Sequence, residues 1–286
     1  GMTDVDYYLS VRPAPDYSFV SDCSFPVCYG EKGIFTATLL TPSLSRRLSE
    51  FSGGMVRNAV PAKARARMDG IWYDGDGIAG HAAFPEGTKN ALAVLCGILL
   101  TVAPDREDAQ VLKALLELCG DGYGRALGLP EGSTCNVGCA RMQGQQLQLE
   151  LDIRYPVDEK GERILEKLRA FVRENGFQIL RYEDSKPNLF PPESGFVQTL
   201  MKAYRQITMD GRGAYIMGGG TYARKIPNAV GFGPGMEADM RILGLPEGHG
   251  GCHSADEAQS LKNLKRAVEI YAAAIIEVSR WLREEM

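Results

Sequence analysis

The sequence predicts a protein of the α/β or α+β class, because segments with the period of a strand alternate along the chain with segments with the period of a helix. Residues 25–29 and 33–40 are short apolar runs between turn residues, which is typical of strands. Residues 147–155 alternate apolar and polar side chains, the pattern of a half-buried strand. Residues 159–175 have the amphipathic pattern of a helix that ends at Gly176.

The other elements are predicted in the same way. We expect strands at 7–11 and 177–182, two helices between residues 43 and 68 separated by glycine and Asn-Ala-Val-Pro punctuation, and helices at 90–102, 107–118, 194–207 and 260–285. A proline-rich stretch at 186–192 is typical of a linker between domains.

The composition limits the classes of function. The chain has 286 residues, of which 44% are hydrophobic, so it can build the core of one large or two modest domains. The net charge of −4 and the absence of a basic run predict binding neither to nucleic acid nor to a membrane surface. No apolar window approaches the roughly 18 residues of a membrane helix, and the N-terminal residues have no signal-peptide pattern. We therefore expect a soluble, cytoplasmic protein, with its seven cysteines reduced rather than paired in a disulfide framework.

Glycine-rich segments dominate the last third of the chain. Residues 217–224 read MGGGTYAR, residues 231–234 read GFGP, and residues 250–257 read GGCHSADE. Glycine lets the backbone approach a ligand closely, so a glycine turn that opens on Thr, Tyr and Arg is suited to bind a carboxylate. His253 precedes the closing helical pattern, which is a good position for a metal ligand.

This order of motifs resembles the bacterial Xaa-His, or carnosinase-like, dipeptidases of the aminoacylase-related di-zinc metallopeptidase family. The resemblance runs from about Asp6 to the C-terminal end. Its other motifs, in chain order, are SDCSFPV at 21–27 with GEKG at 30–33, GG at 53–54 with NAVP at 58–61, GHAA at 80–83 with PEG at 85–87 and NA at 90–91, and LDIRYP at 151–156.

The resemblance implies metal-binding and catalytic residues. Asp22 would be the terminal carboxylate ligand of one zinc ion and His253 the terminal imidazole ligand of the other. His81 would donate a hydrogen bond to the developing oxyanion, and Asn58 would help to polarise the substrate carbonyl from the lid. From the residues alone, Asp22 and Asn58 also fit ordinary turn or capping positions, and His81 also fits a structural role.

The resemblance implies substrate-binding residues as well. Arg154 would bind the C-terminal carboxylate of the substrate, for which a planar guanidinium is suited; without the resemblance it fits equally well as a solvated charge. Thr221 and Arg224, with the turn glycines Gly219 and Gly220, would bind substrate from the other part of the chain.

The resemblance also implies the domain organisation. Residues 2–52 and 188–286 would form a two-part catalytic domain of the α/β class, which is incomplete, and residues 53–187 would form an inserted α+β lid domain. The family uses two zinc ions, a bridging water and a glutamate base, and such a site needs roughly five nitrogen or oxygen ligands.

The chain lacks most of the expected ligand motifs, which are a His-x-Asp, a further aspartate and a Glu-Glu pair. We therefore predict the C-terminal portion of a metal-dependent dipeptidase that hydrolyses dipeptides or N-acyl amino acids through a metal-bridged water. Alone it should be inactive and should not bind both zinc ions. Its partners would be the small substrate and either the missing N-terminal segment or a second subunit that contacts the lid.

Two alternatives remain open at this point. The chain could be a non-catalytic binding or oligomerisation module descended from the same family. It could also be a hydrolase that uses a cysteine nucleophile with His253, although Cys252 is its neighbour in sequence and such partners normally come from separate elements.

Overall fold

The structure, a computed structural model, describes residues 3–102, 104–246, 249–251 and 256–285. The chain divides into two compact units. The split unit comprises Gly1–Lys32 and Pro187–Met286, and the inserted unit comprises Gly33–Lys186. Each unit has its own hydrophobic core.

The helices and strands are numbered in chain order. The helices are α1 (Thr3–Val11), α2 (Ala91–Thr101), α3 (Arg106–Gly120), α4 (Gly161–Asn175), α5 (Gly195–Thr208) and α6 (Leu261–Glu285). The strands are β1 (Ser18–Val20), β2 (Cys23–Ser24), β3 (Val27–Glu31), β4 (Gly33–Leu40), β5 (Leu48–Gly53), β6 (Ala59–Val60), β7 (Lys63–Met68), β8 (Ile71–Asp76), β9 (Gly80–His81), β10 (Thr134–Gln143), β11 (Gln146–Tyr155), β12 (Gln178–Ser185), β13 (Asn188–Leu189), β14 (Tyr215–Met217), β15 (Ala229–Phe232) and β16 (Pro234–Gly235).

The inserted unit is built on a seven-stranded antiparallel sheet with the strand order β12-β4-β11-β10-β5-β7-β8. The predicted alternation on β11 is confirmed, since Leu147, Leu149, Leu151 and Ile153 are buried in the core with residues of α2, α3 and α4. The predicted end of α4 is confirmed too. Gly176 takes φ 68°, a left-handed conformation that glycine adopts without a Cβ penalty.

The two helices predicted between residues 43 and 68 are wrong, because this stretch forms β5, β6 and β7. In β7 the residues Ala64, Ala66 and Met68 are buried, while the basic residues between them are exposed. That is a period of two, the signature of a strand with one buried face. The helix propensity of alanine and arginine was overridden by this alternation.

A tight hairpin joins β7 to β8. Asp69 and Gly70 have φ values of 50° and 81°, as a two-residue turn between twisted strands requires. Across the hairpin, charged residues on the exposed face form ion pairs, and Trp72 lies between two arginines. The pairs within the hairpin are Lys63–Asp76 at 2.5 Å and Arg65–Asp74 at 3.1 Å, and the Arg65 guanidinium lies 4.6 Å from the Trp72 ring centroid. Arg67 pairs instead with Glu50 on the other neighbouring strand, β5, at 3.7 Å.

The predicted boundary between the domains at residue 52 is corrected, because residues 33–52 form β4 and β5 of the inserted sheet. The chain enters the inserted unit at Gly33. A Cβ there would lie 2.0 Å from the Tyr155 ring, so the strand can pass this ring only as glycine. Gly53, the first residue of the predicted lid, instead packs inside the unit, where a Cβ would lie 2.5 Å from Leu92.

The split unit contains a five-stranded sheet in the order β1-β15-β3-β13, with β14 also paired to β3. Helices α5 and α6 cover it through an aromatic core that includes Phe25, Phe196 and Phe232. The predicted helix at 194–207 is confirmed, with Ser194 as its N-cap, whose hydroxyl accepts from the Val197 amide.

The strand predicted at residues 7–11 is wrong, because these residues belong to α1. Asp4 and Asp6 lie in its first turn, where a negative charge complements the helix dipole. The mixed α/β class is confirmed by the elements of both units. None of the helices within the described ranges is long and apolar enough to cross a membrane.

Candidate active site

The split unit gathers several of the predicted residues around one buried carboxylate, Glu31, at the end of β3. The Glu31 Oε1 atom accepts hydrogen bonds from the Thr221 amide at 2.9 Å and the Thr221 hydroxyl at 2.6 Å. Arg224 Nη1 lies 3.4 Å from Glu31 Oε2 and donates to the Lys32 carbonyl at 3.0 Å. The carboxylate therefore ties the glycine-rich turn to β3.

The electrostatics of this cluster follow from its burial. Burial raises the pKa of Glu31, and the hydrogen bonds from Thr221 and the charge of Arg224 oppose that rise. The charge of Asp22 raises the pKa of Glu31 further, so the predicted metal ligand lies close enough to Glu31 to act on it. Asp22 itself is exposed, in the bend before β2.

The thiols near this cluster are protonated. Burial raises the pKa of Cys23 to about 11 and that of Cys28 to about 12. Only a thiolate is an effective nucleophile. Neither cysteine therefore supports the alternative of a cysteine hydrolase, and Cys252, named with that alternative, lies outside the described residues.

The glycine turn follows β14 and leads into a short 3-10 turn at Tyr222–Arg224. The Thr221 hydroxyl accepts from the Ala223 amide at 3.1 Å and so caps that turn, while donating to Glu31. Gly219 faces Met217, and a Cβ there would lie 2.6 Å from the Met217 methyl carbon. Gly219 and Gly220 are both partly exposed, which leaves the turn accessible from solvent.

The inserted unit brings Asn58 and His81 together. Strands β6 and β9 pair antiparallel with Ala59 opposite His81, and the Ala82 amide donates to the Asn58 carbonyl at 2.9 Å. Asn58 is exposed and His81 is partly exposed. The two residues predicted to act on the substrate carbonyl are thus neighbours, with Asn58 in the turn just before β6 and His81 on β9.

The orientation of the His81 ring is set by the loop that follows it. His81 Nδ1 accepts from the Ala83 amide at 3.1 Å. A neutral imidazole with an accepting Nδ1 carries its proton on Nε2. A neutral His81 therefore carries its proton on Nε2.

Two asparagines, to which the sequence assigned no role, hold this strand pair in place. Asn136 on β10 donates through Nδ2 to the carbonyls of Arg57 at 3.0 Å and Ala59 at 2.9 Å, on either side of Asn58. Asn90 donates to Asn136 Oδ1 at 3.1 Å and caps α2 by accepting from the Leu92 amide. Asn90 belongs to the NA motif of the resemblance, but no sequence pattern links it to Asn136.

A cavity of about 350 Å³ lies beside the same strand pair. Val60 and Ala82 line it from the strands, and Asn90 and Asn136 line it from the polar network beneath. The strand pair that carries Asn58 and His81 therefore has open space next to it within the inserted unit.

Arg154 lies on the strand face that the alternation predicts, but its guanidinium is buried. Arg154 Nε donates to Asp152 Oδ1 at 2.5 Å and Nη2 donates to Asp152 Oδ2 at 2.8 Å. The side chains are only 6% and 2% exposed. The fork that was predicted to bind a substrate carboxylate already binds a carboxylate of its own strand.

The remaining predicted metal ligand, His253, lies outside the described residues. Within the part of the chain that the structure describes, no group of three or more His, Cys, Asp and Glu side chains is placed to hold a metal ion. A pair of zinc ions needs a much larger set of ligands. The described residues therefore do not fit a di-zinc site on their own.

Comparison with known proteins gives relatives of one kind. No protein-family profile matches the chain. It is 28% identical over 319 residues to the Bacillus subtilis protein named "Putative dipeptidase YtjP", covering 96% of this chain and 66% of that protein. It is 27% identical over 323 residues to the Beta-Ala-Xaa dipeptidase of Lactobacillus delbrueckii, covering 96% of this chain and 65% of that protein.

A similar solved structure is human carnosine dipeptidase 1, with a TM-score of 0.49 and 10% sequence identity, covering 93% of this chain and 59% of that chain. Among the curated relatives, the chain spans 66% and 65% of the lengths of the two dipeptidases. About a third of the length of each relative is therefore not matched by this chain.

Proposed function

We propose that this chain, a relative of the bacterial dipeptidases, is the C-terminal portion of a metal-dependent dipeptidase that hydrolyses dipeptides or N-acyl amino acids. The observation that carries the proposal is the similarity to two dipeptidases across 96% of the chain. We propose further that the chain is inactive alone, since those relatives are longer and the residues described here do not form a metal site.

In this proposal the inserted unit is the lid, and its strand pair acts on the scissile carbonyl. As water attacks, negative charge develops on the carbonyl oxygen, and an N–H donor aimed at that oxygen stabilises the transition state. His81, with its proton on Nε2, supplies one donor, and the neighbouring Asn58 supplies a second through its side-chain amide. Asn136 and Asn90 are positioning residues, because they hold the backbone on either side of Asn58 rather than the substrate.

The substrate carboxylate is read, in this proposal, by the glycine turn of the split unit. Arg224 pairs with Glu31. In this proposal it therefore acts indirectly, by stabilising the turn together with Glu31. Backbone N–H groups of Gly219 and Gly220 have no Cβ in the way of a close approach. Thr221, which caps the turn and donates to Glu31, fixes its shape. Arg154 binds the substrate carboxylate only if the substrate displaces Asp152.

Zinc enters the proposal through the resemblance alone. When bound, a metal pair would polarise the substrate carbonyl and supply hydroxide near neutral pH. Asp22 and His253 would be this chain's contributions to it, and the other ligands would come from the segment that the relatives have and this chain does not match. The described residues support no step through the metal, so none is assigned.

The first test measures metal content and hydrolysis by the chain alone, using elemental analysis and assays of β-alanyl dipeptides and N-acetyl amino acids with added zinc or manganese. We expect neither two tightly bound metal ions nor turnover. Turnover with two bound metals would refute the proposal that the chain is an incomplete part and would make it a complete enzyme.

The second test adds the missing portion. The unmatched third of the Bacillus protein is co-expressed with this chain, and the same substrates are assayed. We expect turnover, with a loss of about 100-fold or more in kcat for His81→Ala, the size found for a lost oxyanion donor. Arg163→Ala, a surface change on α4, serves as the control and should retain activity. If turnover persists unchanged in His81→Ala, the oxyanion role is wrong.

The alternative function is a non-catalytic module that binds the same small molecules. It is favoured by one observation, the lack of a metal-binding group within the described ranges. Titration calorimetry with a dipeptide separates the two: a binding module retains affinity in a chelator, whereas the enzyme portion binds only when completed.

A cytoplasmic location is proposed as well. The cysteines that the structure describes at positions 23, 28, 96, 119, 135 and 139 are free thiols, which suits a reducing compartment.

A further inference from the structure

The cavity of about 350 Å³ in the inserted unit has the size and lining of a small-molecule site. Residues of helices α2 and α3 and of strands β6 and β10 line it. Its apolar wall includes Val60, Ala82, Pro85, Ala93, Val94 and Leu116. Sites for small molecules have volumes of about 300–1,000 Å³ and combine an apolar wall with a few polar groups. This cavity is at the small end of that range, so its ligand is small.

Two glycines keep the cavity open. Gly97 lies within α2 and Gly120 ends α3, and both line the cavity. A Cβ at either position would meet no atom of the described residues within 4 Å. Glycine inside a helix is less favourable than alanine. Packing does not require glycine at position 97, so what Gly97 provides is the open space itself.

The polar part of the wall includes two side chains of opposite charge, Lys89 and Asp121. The Asp121 carboxylate is held in place, since it accepts from the amides of Tyr123 at 2.7 Å and Gly124 at 2.8 Å. Burial, and then the charge of Asp121, raises the pKa of the wall residue Cys135 to about 12. The carboxylate therefore acts on the cavity wall, and the thiol is neutral. An ammonium and a carboxylate in one wall suit a ligand that carries both charges.

The two asparagines of the wall offer acceptors to a ligand. The side-chain N–H groups of Asn90 and Asn136 already donate to other groups of the protein. Each side-chain oxygen accepts one hydrogen bond from the described residues, and a carbonyl oxygen has two lone pairs. A ligand with N–H donors therefore fits this part of the wall.

The cavity lies on the reverse side of the strand pair from His81. Val60 lines the cavity and directly follows Ala59, which lies opposite His81 across β6 and β9. Successive side chains of a strand point to opposite faces, so Val60 points away from the face on which His81 lies. Burial agrees, since Val60 is buried and His81 is partly exposed. The cavity is therefore a site of its own, separate from the predicted position of the substrate carbonyl.

We propose that this cavity binds a free α-amino acid with an apolar side chain. The ammonium group of the ligand binds Asp121 and the asparagine oxygens, its carboxylate binds Lys89, and its side chain lies against the apolar wall. The inference rests on the proposed function only for the source of the ligand, because hydrolysis of a dipeptide releases free amino acids.

The test measures binding of L-leucine to the full chain by titration calorimetry. Three analogues each lack one recognised part: isocaproate lacks the ammonium group, isoamylamine lacks the carboxylate, and glycine lacks the side chain. Wild type is compared with Lys89→Met, with Gly97→Leu, which fills the cavity, and with Lys113→Met. Lys113 is an exposed lysine elsewhere on α3, so its variant is the matched control for Lys89→Met.

We expect wild type and Lys113→Met to bind leucine in the millimolar range. Lys89→Met should bind it at least about 10-fold more weakly, since a charge-assisted hydrogen bond is lost. Gly97→Leu should not bind leucine, while its thermal unfolding midpoint stays at or above that of wild type. Each analogue should bind more weakly than leucine.

Four results would overturn the proposal. They are no binding of leucine by wild type, undiminished binding by Gly97→Leu or by Lys89→Met, an analogue that binds as tightly as leucine, and a lowered unfolding midpoint for Gly97→Leu. The last result would mean that position 97 has no open space beside it.

The cavity and the proposed function fail separately, because the binding test needs no hydrolysis. If the chain binds leucine in the cavity but stays inactive when co-expressed with the unmatched third of the Bacillus protein, the dipeptidase proposal is refuted and the amino-acid site stands. If the completed protein hydrolyses dipeptides but the cavity binds no leucine, the amino-acid site is refuted and the dipeptidase proposal stands.

Discussion

The buried pair of Asp152 and Arg154 makes a quantitative prediction about the stability of the inserted unit. Asp152→Ala leaves the guanidinium of Arg154 buried without its carboxylate, and breaking a buried ion pair in this way costs about 3–5 kcal/mol. The two hydrogen bonds, at 2.5 and 2.8 Å, and the 6% and 2% exposure of the side chains place this pair in that class rather than among surface pairs. The thermal unfolding midpoint of a domain of this size shifts by about 2–4 °C per kcal/mol of lost stability, so we expect the unfolding midpoint of the inserted unit to fall by about 6–20 °C.

The assay follows the inserted unit alone. Trp72 lies in β8 of the inserted unit and Trp281 lies in α6 of the split unit. In a Trp281→Phe background, denaturation followed by tryptophan fluorescence reports the inserted unit, and all variants are compared in that background. The matched control is Asp152→Leu/Arg154→Met, which replaces both charges by apolar groups and should recover most of the loss.

Two results would refute this reasoning. A loss below about 1 kcal/mol for Asp152→Ala would mean that the guanidinium reaches solvent or another carboxylate, as exposed pairs do. If the double variant is no more stable than Asp152→Ala, the attraction within the ion pair exceeds the free-energy cost of burying its two charges. If Asp152→Ala is instead stable and gains affinity for an acetate or dipeptide carboxylate, Arg154 is the substrate clamp that the resemblance implies.

Three further predictions concern single positions. Glu31→Ala should destabilise the split unit by about 1–3 kcal/mol, because the buried amide and hydroxyl of Thr221 lose the carboxylate that accepts from them, and Glu31→Gln, which can still accept from Thr221, should cost less; equal losses in thermal unfolding would contradict this. Gly33→Ala should cost about 1–3 kcal/mol by overpacking, since its Cβ would lie 2.0 Å from a ring carbon, whereas Gly97→Ala, with open space around it on α2, should gain about 0.5–1 kcal/mol. The hydrogen bond from the Tyr204 hydroxyl lowers the pKa of Asp210 from 3.8 to about 2, so its stabilisation is present above pH 3.8 and is lost as the pH falls to about 2. The difference between the unfolding midpoints of wild type and Asp210→Asn should therefore shrink over that window, and a constant difference would refute it.

Much of the secondary structure was predictable where one period dominates a long segment. Helices α4 and α5 each carry a strong apolar stripe with a cap at one end, and β11 alternates over its whole length. In these segments local pattern and tertiary packing favour the same structure. The resemblance also implied roles on the substrate carbonyl for Asn58 and His81 separately. The pairing of β6 with β9 makes them neighbours, while their roles stay predictions.

The hairpin at residues 63–76 could have been predicted but was not. Its Lys-Ala-Arg-Ala-Arg-Met run alternates with a period of two, and Asp69-Gly70 is a strong signal for a two-residue turn. The alanine and arginine content favoured a helix in a segment only six residues long. A short segment holds too few periods to outweigh composition, so the alternation needed to be weighed together with the turn.

The partners of the site residues could not have been predicted from spacing. Glu31 meets Thr221, and Asn136 meets the backbone around Asn58, across long stretches of sequence. These hydrogen bonds depend on which strands become neighbours in the sheet. A single sequence holds no local signal for that neighbourhood, and so the buried state of Arg154 was equally hidden.

The ion pairs on the exposed face of the β7–β8 hairpin have a consequence for how the protein behaves at high concentration. Strand β8 ends the sheet, so its outer backbone groups could template another chain. Each ion pair on the exposed face contributes little to stability, since both partners are well solvated. Any chain that added itself to this edge would have to lie beside Asp74, Asp76 and the stacked Trp72, and would displace their water. The charged side chains of the hairpin therefore protect the edge of the sheet from pairing with another chain, although they add little to its folding stability.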